Sequence, residues 1–222
     1  MRLLRSFVTP LGFIVAISFC ANWFARADTS PEHNAGGSVG AVAPIFRQLV
    51  YFRVPVSFVS VFEETHGDRY IHEWVLSGES VSNWTQMITL TGAQNVSQRH
   101  PEATPKAFAG AIASRFQRTC PTSFSAKGIY EGQLNAQDTF ILVVGCGNAP
   151  TSAGHSETAV IAVVKGENDF YTLQWAQRAD ATPTPKDIDV NLWAGRIKSL
   201  MPLKLCPIVA GERPPYPSCV GS

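Results

Sequence analysis

Residues 158–177, TAVIAVVKGENDFYTLQWAQ, decide the fold. Residues 158–165 are an almost unbroken run of Val, Ile and Ala, the composition of a strand covered on both faces. Gly166-Glu167-Asn168-Asp169 then supplies turn chemistry, and residues 170–177 resume with aromatic and apolar residues. Two strands joined by so short a turn pair antiparallel. Just upstream, residues 139–145 (TFILVVG) carry hardly a polar group and predict a central strand, preceded by another over 123–133. These four runs predict one antiparallel sheet.

Further toward the N-terminus, residues 51–64 (YFRVPVSFVSVFEE) are dense in Val and Phe, which suit a pleated, half-buried surface. Pro55 predicts an edge position or a bulge at the start of that strand. Thr65-His66-Gly67-Asp68 forms a turn, after which residues 69–76 alternate Tyr70, His72 and Trp74 against Ile71, Glu73 and Val75, the pattern of a hairpin. Residues 80–83 read as a short helical turn pinned by Trp84, and residues 86–91 (QMITLT) as a third strand.

Two helices follow from their starts. Thr104 caps and Pro105 occupies the first helical position, where its missing N–H costs nothing, with Phe108, Ile112 and Phe116 at i, i+4 and i+8. Thr184-Pro185 repeats the device ahead of Ile188, Leu192 and Ile197, with Trp193 and Leu200 beside them. The predicted order is three strands, a helix, four strands and a helix. That gives an α+β fold: an antiparallel sheet of about six or seven strands covered by two main helices and stapled by disulfides.

The chain has 222 residues, of which 45% are hydrophobic and 16% charged, a balance that excludes intrinsic disorder. A net charge of +1 gives no electrostatic case for a nucleic-acid partner. Arg2 and Arg5, the apolar run over 11–19 and Ala25-Arg26-Ala27 predict a signal peptide over residues 1–27. The apolar run falls well short of the ~20 residues that span a bilayer. Residues 28–50 read as a flexible leader, rich in Gly, Ser and Ala through residue 43, and residues 51–201 as a single α+β domain. Residues 202–222, with Pro202, Pro207, Pro214, Pro215 and Pro217, read as an irregular tail.

Cys20 leaves with the signal, and an even set remains: Cys120, Cys146, Cys206 and Cys219. In an oxidising compartment these read as two disulfides, and no spacing matches a C-x-x-C motif. Of the three connectivities the sequential one is preferred. Cys120 and Cys146 flank a predicted hairpin, and Cys206 with Cys219 restrains the tail.

The richest polar cluster is Glu63-Glu64-Thr65-His66-Gly67-Asp68 with His72-Glu73. Carboxylates and imidazoles are metal ligands, but His66 and His72 lack the H-E-x-x-H spacing, and a solvated turn explains the charge. Glu64 opposite Arg69 reads as a surface ion pair. Gly154-His155-Ser156-Glu157 sets a serine beside a histidine without the G-x-S-x-G elbow. Trp74, Trp84, Trp175 and Trp193 read as core anchors, with a ligand-stacking groove as the alternative. No catalytic, cofactor-binding or metal-binding residue is assigned. The candidate contacts to a ligand or partner are Glu64, His66, His72 and His155.

The stretches HEWVLSGESVSNWTQMITLTG (72–92) and CGNAPTSAGHSETAVIAVVKGENDFYTLQWAQR (146–178) resemble small exported proteobacterial proteins of unassigned function. The order of elements is loosely similar to the Mog1/PsbP-like sandwich, whose members are mostly accessory or binding proteins. The resemblance implies a bacterial envelope origin and carries over no catalytic residue. Together these readings predict an exported, periplasmic or secreted, non-enzymatic binding protein of the cell envelope engaging a protein partner. The alternatives are a lipid or apolar small-molecule binding protein, and a secreted hydrolase using His72 or His155 with a nearby carboxylate.

Overall fold

Short turns of two to four residues join four of the eight strand pairs in the computed structural model, which describes residues 37–150 and 154–221. The expected signal peptide, Cys20 and the first part of the expected leader lie outside these residues. The elements are β1 (Ser38–Ile45), β2 (Gln48–Pro55), β3 (Phe58–His66), β4 (Arg69–Leu76), β5 (Gln86–Ala93), α1 (Val96–Arg99) and α2 (Pro105–Thr119). They continue with β6 (Phe124–Leu134), β7 (Gln137–Cys146), β8 (Ser156–Lys165), β9 (Phe170–Ala179), α3 (Val190–Ser199), β10 (Lys204–Pro207) and α4 (Pro217–Val220). Seven strands form an antiparallel sheet in the order β3-β4-β5-β9-β8-β7-β6, and a second sheet has the order β1-β2-β10.

The fold is α+β, as the sequence predicts, and its layers follow from strand alternation. On one face of the large sheet Trp74, Leu90, Val143, Tyr171 and Leu173 pack beneath Phe52 and Val54 of the small sheet and Trp193 and Ile197 of α3. On the other face Leu142, Val144, Ile161, Val163 and Phe170 meet Phe108, Ile112 and Phe116 of α2. β7 is thus buried on both faces although it lies one strand in from the edge, which explains its unbroken apolar run. Thr104 caps α2 as its sequence predicts, accepting a hydrogen bond from the Ala107 N–H at 3.1 Å. Trp74, Trp84 and Trp193 are buried and Trp175 is half-buried. Cys120 and Cys146 are disulfide-bonded, with Cα atoms 5.8 Å apart, and tie the end of α2 to the end of β7. Cys206 and Cys219 form the second disulfide.

Five expectations need correction. The leader expected over 28–50 contains β1 and the start of β2. Gly40 there is a packing residue, because a Cβ would come within 2.9 Å of the Tyr51 ring across the strand pair. The run over 51–64 is two strands in different sheets, and Pro55 ends β2 opposite Ser38 rather than opening a strand. Residues 80–83 form a bend in which Ser80 and Asn83 exchange backbone hydrogen bonds, not a helical turn. The last long helix starts after Asp189, whose carboxylate accepts from the Asn191 and Leu192 N–H groups, while Thr182 is held at Gly147 by a 2.8 Å backbone bond. Ile188 therefore precedes that helix and Leu192 is 48% exposed, so its buried face is Trp193, Ile197 and Leu200. Finally, the tail is not wholly irregular: β10 pairs antiparallel with β2 through Leu205 opposite Val50 and Cys206 opposite Leu49.

Candidate functional site

The hairpin of β3 and β4 carries most of the polar cluster, and its register sorts that cluster onto two faces. β3 is an edge strand with a bulge between Ser60 and Phe62. Ser60 stands opposite Trp74, Phe62 opposite Glu73, Glu63 opposite His72 and Glu64 opposite Ile71. In a regular strand Ser60 and Glu63, three residues apart, point to opposite faces. The extra residue, Val61, brings Glu63 back to the face of Ser60.

The face toward α2 holds a groove. α2 lies over β6, β7 and β8, and beside it the sheet surface is open around Ile71, Thr91, Thr172 and Gln174, while Val75 and Met87 further along the same face are buried with Trp84. The space is about 730 Å³, walled by Phe108, Ile112 and Phe116 of α2 and floored by Ile71, Thr91, Thr172 and Gln174. The floor is polar: the Thr91 and Thr172 hydroxyls are 2.7 Å apart, and the Gln174 amide donates to Thr172 at 3.3 Å. Glu64, His66, Asp68, Arg69, Arg99 and Arg115 form the rim. Arg69 stands opposite His66, not Glu64, and its ion pair at 3.9 Å is with Asp68, which also meets Arg99 at 3.7 Å. Both contacts are surface pairs, worth little to stability. Among the described residues Glu64 and Arg115 have no ion-pair partner.

On the opposite face four side chains touch in series. Ser60 Oγ is 2.8 Å from His72 Nε2, and the Tyr70 hydroxyl lies 3.2 Å from His72 Nδ1. The same hydroxyl donates to Glu63 Oε1 at 2.7 Å, and Glu63 Oε2 is 3.7 Å from Nδ1. Counting protons assigns the tautomer. Tyr70 has one proton and gives it to Glu63, so Nδ1 carries the imidazole hydrogen and faces the phenol oxygen. The Nε2 lone pair is then free to accept the Ser60 hydroxyl proton. The His72 ring stacks on Trp74 at 3.6 Å between centroids, and only 14% of its side chain is exposed. Burial lowers the His72 pKa, opposed in part by the Glu63 carboxylate. Burial and Glu63 together push the Tyr70 phenol well above its usual range.

The four sequence candidates therefore separate. Glu64 and His66 stand together at the groove, and His72 lies on the other face of the same hairpin. His155 is exposed at the start of β8, at the end of the sheet away from His66. Its neighbour Ser156 is buried and accepts a hydrogen bond from Lys186 at 2.7 Å. Ser60 escaped sequence reasoning because its contact with His72 depends on a bulge that no residue type announces, whereas Tyr70 shares the His72 face by plain strand alternation. Among the described residues no group of three or more His, Cys, Asp or Glu side chains has the arrangement of a metal site. None of their helices is long and apolar enough to cross a membrane.

No family model matches this chain, and no curated protein matches it. Among solved structures it is similar to the Ran-binding protein Mog1p of Saccharomyces cerevisiae, at 8% identity and a TM-score of 0.39, covering 75% of this chain and 86% of that one. A mutant of Mog1 gives 8% identity and a TM-score of 0.39, over 73% and 85% of the two chains. The PsbP protein of the cyanobacterium Synechocystis gives 9% identity and a TM-score of 0.42, over 74% and 94%. The resemblance to the Mog1/PsbP-like fold is a loose one.

Proposed function

We propose that the protein is exported, is cleaved after Ala27, and acts in the cell envelope as a binding protein whose groove beside α2 engages a protein partner. One observation carries the reading: beside α2 the sheet face is left open as a space of about 730 Å³. Its apolar wall of Phe108, Ile112 and Phe116 and its charged rim have the anatomy of a protein interface, an apolar centre inside a polar border. The hydroxyls and amide of the floor offer a peptide hydrogen-bond partners and offer an acyl chain nothing, which favours a protein over a lipid. Glu64 and Arg115 supply opposite charges for a partner to meet, and two disulfides support residence in an oxidising compartment.

The test is capture of envelope proteins by the purified mature protein, compared with Arg115→Glu and Ile112→Asp. The reading expects a partner whose capture falls at least tenfold in both variants and is unchanged by Lys198→Glu on the exposed side of α3. Capture indifferent to the groove substitutions overturns it. Intact-mass analysis of the exported protein checks the cleavage, with Asp28 expected as the first residue.

A further inference from the structure

From the contacts among Ser60, His72, Tyr70 and Glu63 we propose that Ser60 is a nucleophile that hydrolyses short-chain carboxylic esters through an acyl-enzyme. A serine is activated when a base within hydrogen-bond reach takes its proton and a third group orients that base. Ser60 Oγ is 2.8 Å from Nε2, the nitrogen that proton counting leaves unprotonated. The Tyr70 oxygen and the Glu63 carboxylate face Nδ1–H at 3.2 and 3.7 Å, and the Trp74 ring holds the imidazole plane. Glu63 is the charged group that bears on His72. The register partner of His72 on β5 is Leu90, so Glu63 and Tyr70 are the titratable groups that meet it.

The strand register also provides a donor for the oxyanion. The Ser77 N–H donates to the Ser57 carbonyl, which makes 57 and 77 a hydrogen-bonded pair. Antiparallel pairs alternate, so 59 and 75 exchange bonds while 60 and 74 do not. The Ser60 N–H therefore points to the open edge of β3, beside its own hydroxyl, where no strand takes it up. A backbone N–H next to the nucleophile is where acyl-transfer enzymes place an oxyanion donor. Ser60 is itself exposed on this edge. An open edge gives a long acyl chain no cover, so a small acyl group is expected, and the alcohol can be as large as a polymer because it leaves into solvent.

The chemistry balances with water as the co-reactant. Ser60 Oγ bonds to the acyl carbon as its proton passes to Nε2. The carbon–oxygen bond to the alcohol then breaks, and the alkoxide takes that proton. Water attacks the acyl-serine, gives a proton to Nε2, and the serine oxygen recovers it as the carboxylic acid departs. Glu63 faces the imidazolium formed in between, so Glu63 and Tyr70 are positioning residues.

A fluorophosphonate probe applied to the purified exported protein tests the proposal, read by intact mass and peptide mapping, alongside turnover of p-nitrophenyl acetate. One adduct, on Ser60, is expected. Ser60→Ala abolishes it, and His72→Gln slows labelling by roughly 100-fold or more, the range of a general base. Glu63→Gln moves the acid limb of the labelling profile to lower pH, because the carboxylate that raises the His72 pKa is gone. A purely structural Glu63 leaves the limb in place. Circular dichroism and disulfide mapping establish that each variant is folded. An adduct on another serine, no adduct at all, or ester turnover that survives Ser60→Ala in a folded variant overturns the proposal.

Discussion

On the α2 side of the β3–β4 hairpin, Glu64 and His66 stand at the rim of an open groove, with no side-chain bond between them among the described residues. On the other side of the same strands, Glu63, Tyr70 and His72 are joined in one hydrogen-bonded series with Ser60. Cover makes the difference. The small sheet and α3 close over Tyr70 and Trp74, and polar groups half withdrawn from water must satisfy one another. The groove face stays wet, so its charges are left for something outside the chain. One hairpin thereby separates a surface suited to holding a partner from a constellation suited to moving a proton.

Trp74→Ala is the harshest way to break the covered face. It removes the ring that stacks on His72 and packs edge-on against Phe52, and about 3–5 kcal/mol of stability should go with it in a denaturant titration. Next comes the groove face. Replacing both Cys120 and Cys146 with serine frees the end of α2, and for a loop of 26 residues the chain-entropy estimate is about 3.5 kcal/mol. Partner capture should weaken while Ser60 labelling persists below the melting transition. Equal loss of both would show that the two faces are not separable. Tyr70→Phe sharpens the comparison by deleting one hydroxyl. A cost of about 1–2 kcal/mol is expected, since the phenol serves a charged acceptor, along with altered pH dependence of labelling.

The smallest effect is that of pH. Burial sets the folded pKa of His72 below its unfolded value of about 6.5. In the window between the two values the unfolded chain binds a proton that the folded chain does not, so acid favours unfolding. The melting temperature should therefore fall as pH drops through about 6.5, and His72→Gln should flatten that part of the curve.

Where the determinants were local, the residues announced the structure. Thr104-Pro105 marked the start of α2, the turn over 166–169 set the β8–β9 pair, and the apolar run in β7 reported cover on both faces. Where they lay elsewhere in the chain, the same reading failed. Gly40 looks like a loop residue until the Tyr51 ring is placed over it, and β10 has no strand character without β2 to pair with. The candidate site divides the same way. Glu64 and His66 were visible as hairpin polar residues, but whether α2 would leave that face open depends on where the helix docks. Ser60 joined His72 only because a strand pair absorbs one extra residue at Val61.

The middle strand of the small sheet has a consequence for the order in which the molecule is assembled. β2 finds its first neighbour within a few residues, yet its second, β10, belongs to residues 204–207. A chain delivered N-terminus first presents Leu49 and Val50 on a half-made edge until nearly all of it has emerged. Such non-local pairing is slow to form, and an unpaired edge is a template for association with other chains. Completion of this layer is thus a late event in biogenesis, during which the newly delivered polypeptide has to be kept from its own copies.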